Sequence, residues 1–115
     1  MIYAVVAFIV VLIALRILSS RPDVSPEGVD ELLSDGGMLI DVRTPSEYRS
    51  SRFERALNLP LDTLPEALNR LDVPRETPLL LCCASGMRSA QAKRLLRQSG
   101  YNRVYNAGSI SRLKG

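Results

Sequence analysis

The stretch Leu79-Leu80-Leu81-Cys82-Cys83-Ala84-Ser85-Gly86-Met87-Arg88-Ser89-Ala90 decides the fold. Its three leucines form a short apolar run, which predicts a strand that is covered on both faces. Ser85 and Gly86 favour a turn, and from Met87 onward apolar residues recur at helical spacing until Gly100 ends the helix. In α/β sheets, ligands bind at the carboxyl ends of such strands, so this turn is the first candidate for a functional site.

A cysteine at the mouth of this turn is in a position that favours its thiolate form. Unpaired backbone N–H groups and the positive end of the helix dipole both favour negative charge there, and Arg88 adds a cation in the first helical turn. These influences lower a thiol pKa and increase the nucleophilic fraction at neutral pH. The same donors suit an oxyanion substrate. Both Cys82 and Cys83 are candidates on this argument alone.

Three blocks of the sequence resemble the rhodanese-like sulfurtransferases. The segment Cys83–Ser89 resembles the active-site loop of that family, Cys-x-x-Gly-x-Arg, often followed by Ser. Ile40–Tyr48 is similar to the family's Asp-Val-Arg-x-Pro-x-Glu-Tyr segment, and Ala56–Leu61 to its Ala-Ile-Asn-Ile-Pro-Leu segment. The blocks occur in the family's order and span most of residues 24–108. The resemblance implies a rhodanese-like α/β fold with a central, mostly parallel sheet and helices on both faces.

The resemblance also selects the nucleophile. Cys83 to Arg88 has the six-residue length of the sulfurtransferase loop, whereas Cys82 to Arg88 has the Cys-x5-Arg length of tyrosine and dual-specificity phosphatases but lacks their preceding His. We therefore expect Cys83 to attack and Cys82 to pack as a small hydrophobe; a phosphatase or arsenate reductase that uses Cys82 is the lesser alternative. The expected substrate and anion site comprises Ala84, Ser85, Gly86, Met87, Arg88 and Ser89.

The implied activity is sulfur transfer through a persulfide on Cys83. The donor would be a small anion such as thiosulfate or a persulfide, the acceptor a thiol or cyanide, and no cofactor or metal is expected. Asp41 and Arg43 follow a predicted strand beside the loop and form either a structural ion pair or a secondary, substrate-steering pair. Ala84 replaces the Arg or Lys that many family members have after the cysteine. That replacement keeps open a non-catalytic or relay module that carries sulfur or binds an anion for a membrane partner.

Composition excludes several other classes of site. The chain has 115 residues, enough for one domain, and it contains no histidine, which excludes Cys-His and Ser-His catalysis and histidine metal sites. The two adjacent cysteines lack the C-x-x-C spacing of zinc and thioredoxin sites. Charge is uneven: residues 1–76 carry eight Arg against twelve acids, a net −4, and residues 77–115 carry seven Lys or Arg and no acid. The basic part suits small anions or anionic headgroups, and we expect no nucleic-acid partner.

The remaining segments predict alternating helices and strands. Ser25 and Pro26 begin a helix, Thr44 to Glu47 forms a capping box, and Thr63 with Glu66 forms a second one. Strands are predicted at 38–42, near 56–58 and at 103–105. In the helix after Thr63, the buried stripe is expected to contain Leu64, Ala67, Leu68 and Leu71.

The N-terminus predicts a membrane anchor in residues 1–19, a linker in 20–23 and the domain in 24–115. As a helix, the apolar run of 18 residues reaches roughly 27 Å at about 1.5 Å per residue, close to a bilayer core of about 30 Å. Residues 2–18 would contact lipid in a single pass through an inner or cell membrane. Arg16 and Arg21 flank its end, which favours a cytoplasmic domain; a periplasmic domain and a cleaved signal peptide are the alternatives.

Overall fold

The computed structural model describes residues 1–114, so the last predicted domain residue, Gly115, lies outside the described part. The chain alternates helices with strands after a long N-terminal helix. The helices are α1 (Ile2–Ser19), α2 (Pro26–Ser34), α3 (Pro45–Ser50), α4 (Glu66–Arg70), α5 (Met87–Gln98) and α6 (Ile110–Lys114), with a 3-10 turn at Leu61–Thr63. The strands are β1 (Met38–Asp41), β2 (Leu57–Asn58), β3 (Leu79–Cys83) and β4 (Val104–Ser109).

The four strands form one parallel sheet in the order β2-β1-β3-β4. The strand β3 is central and buried at all five positions, as its apolar run predicts. Its register places Asp41 opposite Cys82 and Ser109 opposite Cys83. The C-terminal ends of β1, β3 and β4 therefore meet at one edge of the sheet, and this edge positions the candidate site.

Helices cover both faces of the sheet, as expected. Because side chains alternate along a strand, Leu81 and Cys83 face a core with Leu68 of α4 and Leu96 of α5. The next residue, Cys82, points to the other face. That second core contains Leu80, Val29 of α2, and Ile110 and Leu113 of α6. The predicted α/β architecture with two helical layers is confirmed.

Two helix starts agree with their sequence signals. The Ser25 hydroxyl accepts a hydrogen bond from the Gly28 N–H at 3.0 Å and caps α2. Thr44 and Glu47 form a complete capping box at α3, in which each side chain accepts from the other residue's backbone N–H. Both caps satisfy N–H groups that a helix start leaves unpaired.

Three local predictions are wrong. The second capping box does not form, because Thr63 ends the 3-10 turn and donates its hydroxyl proton to the Pro60 carbonyl, so that α4 begins without a side-chain cap. Leu71 follows the end of this short helix and is 52% exposed instead of lying in its buried stripe. The last strand runs over six residues, Val104–Ser109, because it pairs with the whole length of β3.

The N-terminal helix α1 has the length and composition of a membrane span, and none of its residues is buried in the described structure. The segment that follows it is not a free linker. The Asp23 N–H donates to the Asn106 carbonyl at 2.9 Å, and the Pro22 ring lies against Gly108. Residues 20–23 are therefore attached to β4.

Candidate active site

The turn after β3 requires glycine at one position. Gly86 has a φ of +92°, in the left-handed region that side chains disfavour. A Cβ atom at Gly86 would also lie 3.0 Å from the Ser20 carbonyl oxygen. The glycine lets the chain reverse between strand and helix while the segment after α1 packs directly against it.

The loop directs backbone N–H groups at the sulfur of Cys83. The Gly86 N–H donates to Sγ at 3.0 Å, and the Ser89 Oγ lies 3.6 Å from it. Burial acts to raise the pKa of Cys83, but the hydrogen bonds from the Ser89 hydroxyl and from the N–H groups of Ser89, Gly86 and Ser85 outweigh it, so the pKa is lowered from its ordinary value. The arrangement stabilises a thiolate at position 83.

The hydroxyl proton of Ser89 has three acceptors within reach. Its Oγ lies 2.6 Å from the Asn106 Oδ1, 3.0 Å from the Gly86 carbonyl oxygen and 3.6 Å from the Cys83 sulfur. A hydroxyl has a single proton, so donation to the neutral thiol competes with two nearer oxygens. An ionised sulfur is a stronger acceptor, and we expect the proton to turn toward Cys83 when the thiolate forms.

The residue Cys83 has no exposed surface in this conformation. The loop around it is open to solvent at Ala84, Ser85 and Met87, whereas Gly86 and Ser89 are buried.

The neighbouring Cys82 is in the opposite environment. Its side chain lies in the other core, and its thiol donates to the Ile40 carbonyl at 3.5 Å. Burial raises the pKa of Cys82, and the nearby Asp41 carboxylate and Cys83 raise it further. This agrees with the expectation that Cys82 packs as a small hydrophobe.

The guanidinium of Arg88 is paired with a carboxylate. It forms two parallel bonds to the Glu47 carboxylate, Nη1 to Oε1 at 2.6 Å and Nη2 to Oε2 at 2.8 Å. The Arg88 pair, with help from the Thr44 N–H, lowers the pKa of Glu47 to about 2. The residue expected mainly to cap α3 thus also ties α3 to α5, and the positive charge expected at the anion site is matched by a carboxylate.

The predicted pair of Asp41 and Arg43 is a buried ion pair. The Arg43 Nε donates to both carboxylate oxygens at 3.1 and 3.0 Å, and Nη2 donates to Oδ2 at 2.8 Å and to the Ser51 carbonyl at 2.7 Å. The exposed fractions of the two side chains are 0% for Asp41 and 7% for Arg43. Of the two interpretations of this pair, the geometry favours the structural one.

A residue that the motifs did not identify connects the site to the N-terminal segment. Asn106 is 1% exposed, and its amide nitrogen donates to the carbonyls of Ser20 at 3.0 Å and Gly86 at 3.2 Å. Its amide oxygen accepts from the Ser89 hydroxyl at 2.6 Å and the Gly108 N–H at 2.9 Å. The sequence could have indicated this role, because Asn106 lies between apolar residues of β4 and a buried side-chain amide needs hydrogen-bond partners.

A pocket of about 490 Å³ opens beside Arg88. Its lining is mostly apolar and comes from the segments after β1 and β2 and from α5: Val42, Pro45, Pro60, Leu61, Leu64 and Leu95. Cys83 does not line this pocket, although its side chain faces the same core as Val42 and Leu64.

Comparison with known proteins decides the family. A profile of the rhodanese-like domain matches residues 25–113. The chain belongs to the rhodanese-like family. This rhodanese-like domain is 34% identical over 86 residues to a sulfurtransferase of Allochromatium vinosum, covering 73% of this chain and 78% of that protein. It is also 34% identical over 71 residues to the thiosulfate sulfurtransferase PspE of Escherichia coli, covering 62% of this chain and 68% of that protein.

A solved structure agrees with this assignment. The human single-domain sulfurtransferase TSTD1 superimposes on the rhodanese-like domain with a TM-score of 0.63 at 33% identity, covering 80% of this chain and 94% of the human one. The chain is a sulfurtransferase of the rhodanese type.

Proposed function

We propose that the chain is a membrane-anchored sulfurtransferase in which Cys83 carries the sulfur as a persulfide. The observation that carries this proposal is the short Gly86 N–H bond to the Cys83 sulfur, together with the lowered pKa of that thiol. The loop from Ala84 to Ser89 would hold the anionic intermediate. No general base is needed if the thiol is already ionised.

The reaction balances with a donor and an acceptor alone. The Cys83 thiolate attacks the outer sulfur of a sulfane donor such as thiosulfate, the sulfur–sulfur bond of the donor breaks, and its electron pair leaves with sulfite. The new persulfide anion replaces the thiolate among the loop N–H groups. An acceptor thiolate or cyanide then attacks the terminal sulfur, and the bonding electron pair returns to Cys83.

The decisive experiment uses the adjacent cysteine as its matched control. Full-length wild type, Cys83→Ser and Cys82→Ser are incubated with thiosulfate or an organic persulfide, and the intact mass is measured. We expect an added mass of one sulfur atom on wild type and Cys82→Ser, removable by cyanide as thiocyanate, and none on Cys83→Ser. An adduct that is lost in Cys82→Ser but kept in Cys83→Ser would instead support Cys82 as the nucleophile, with the Cys82 to Arg88 spacing of the phosphatases.

The charges around the loop favour a second candidate, a relay module that receives and passes sulfur without efficient thiosulfate turnover. Arg88 is paired with Glu47, Arg43 with Asp41, and position 84 is alanine. A dianionic donor would therefore rely mainly on backbone N–H groups. A persulfide that forms readily from an organic persulfide or a protein partner, but not from thiosulfate, would favour this version.

We propose that α1 is a retained anchor in a cell or inner membrane, that residues 24–115 form the sulfurtransferase domain, and that this domain faces the cytoplasm because Arg16 and Arg21 lie on its side. Alkaline carbonate extraction of membranes that contain the full chain, with N-terminal analysis of the product, tests both points. The anchor is contradicted by a chain that is extracted by carbonate or that lacks residues 1–19. Protease protection in sealed vesicles distinguishes a cytoplasmic from a periplasmic domain.

A further inference from the structure

A basic groove lies where α1 ends. It has a volume of about 480 Å³ and is formed by the last residues of α1, the attached segment after it and one face of α5. Its cations are Arg21, Lys93, Arg94 and Arg97. The single acidic residue in its lining is Asp23.

Most of this positive charge is not neutralised by protein. Lys93 is paired with Asp23, whereas Arg21, Arg94 and Arg97 form no salt bridge within residues 1–114 and are exposed. Three arginines therefore line one groove without a counter-ion from the described residues. Arginine presents several N–H donors in a planar fork that matches a phosphate group.

The groove is also fixed in position relative to the end of α1. Asn106 holds the Ser20 carbonyl, and Asp23 is bonded to the Asn106 backbone and to Lys93. The domain therefore cannot move far from the last turn of α1. If α1 spans a bilayer as proposed, its apolar residues end at Leu18, and the groove that contains Leu18 and Arg21 lies at the depth of the lipid headgroups.

We propose that this groove binds the phosphate headgroup of an anionic phospholipid and so holds the face of α5 against the membrane. The inference rests on the proposed anchor but not on the chemistry of Cys83. Charge complementarity favours an anionic over a zwitterionic lipid, since three unpaired arginines attract a net negative headgroup and basic residues near a membrane surface strengthen such attraction.

Native mass spectrometry of the detergent-solubilised full chain tests this proposal. We expect wild type to retain phosphatidylglycerol over phosphatidylcholine by about tenfold or more, on the basis of the arginine contributions. The double variant Arg94→Gln/Arg97→Gln should lose this preference. The control Arg49→Gln/Arg70→Gln removes two exposed arginines that form no salt bridge within residues 1–114 and do not line the groove, and it should keep the preference.

Several results would overturn the proposal. These are equal retention of the two lipids by wild type, an unchanged preference in Arg94→Gln/Arg97→Gln, complete displacement of the lipid by inorganic phosphate alone, and retention of an RNA oligonucleotide in its place. Carbonate extraction of the same variants reports on the anchor, and the sulfur adduct on Cys83 reports on the chemistry. Failure of the groove is therefore distinguishable from failure of the proposed function.

Discussion

Two adjacent cysteines lie in different environments because a strand turns successive side chains to opposite faces. Cys82 points into a closed apolar core, and Cys83 ends the strand where the turn begins to supply N–H groups. The two thiols thus differ in pKa direction because they are one residue apart on the strand and point to opposite faces. The family spacing predicts that Cys83 is the nucleophile, and the alternation of the strand explains why the two thiols lie in different environments.

We predict that Ser89→Ala raises the pKa of Cys83, because the largest hydrogen-bond contribution to the lowered pKa comes from that hydroxyl. The change also removes bonds to Gly86 and Asn106 and should reduce the free energy of unfolding by roughly 1–3 kcal/mol. The pH dependence of Cys83 alkylation measures the first effect, and chemical denaturation measures the second.

The matched control is Ser85→Ala, whose hydroxyl is exposed and accepts only from the Met87 N–H, at 3.4 Å, among its contacts in residues 1–114. It should leave the alkylation profile close to that of wild type. An unchanged profile in Ser89→Ala would mean that backbone N–H groups alone stabilise the thiolate.

At the scale of elements, the most informative contact joins α3 to α5. The sequence predicted the capping box, because Thr44 and Glu47 are close in the chain and follow a local rule. It did not predict the pair between Glu47 and Arg88, which are far apart in sequence and meet only because β1 and β3 are neighbours. The misassigned box at Thr63 has a related cause, since the 3-10 turn gave its hydroxyl a nearer acceptor.

We predict that Glu47→Gln destabilises the chain at neutral pH and that its difference from wild type disappears in acid. The folded-state pKa of Glu47 is about 2 against an ordinary value of 4.5. A lowered carboxyl pKa stabilises the folded state above the ordinary value, and this stabilisation is lost as the pH falls from about 4.5 toward about 2. Thermal unfolding across this pH range measures the difference.

The control for this prediction is Glu54→Gln, an exposed carboxyl that forms no salt bridge within residues 1–114. Its stability should differ little from that of wild type, and the difference should not disappear between pH 4.5 and about 2 as it does for Glu47→Gln. A constant penalty for Glu47→Gln down to the acid limit would show that the side chain acts by shape and not by charge.

At the scale of the whole molecule, hydrogen bonds of Asn106 join the N-terminal segment to the loop that follows β3. The sequence predicted a linker at 20–23 because this segment is short and polar. Composition alone does not reveal that the Asn106 side-chain amide donates to both the Ser20 carbonyl and the Gly86 carbonyl of the loop. The parallel sheet and its two helical layers followed from alternating patterns. The attachment of the segment depends on a contact between the two ends of the chain.

We predict that deletion of residues 1–19 preserves domain stability, whereas deletion of residues 1–23 lowers it. No residue of α1 is buried, but removal of Ser20 and Asp23 takes the Ser20 carbonyl from the Asn106 side-chain amide and the Asp23 carboxylate from the Asn106 backbone N–H. Each buried group left unsatisfied costs roughly 1–3 kcal/mol. Chemical denaturation of the two truncated proteins measures the difference. Equal stability would contradict the described attachment.

The central claim is that loop N–H groups make the sulfur of Cys83 the reactive anion, and time-resolved alkylation of the full-length wild type across pH tests it most directly. Peptide mass spectrometry separates Cys82 from Cys83 by their positions. The account predicts that Cys83 is modified in the folded protein with an apparent pKa below the ordinary 9.0, while Cys82 reacts only on unfolding. Modification of Cys82 first, or of Cys83 only in denaturant, would contradict it.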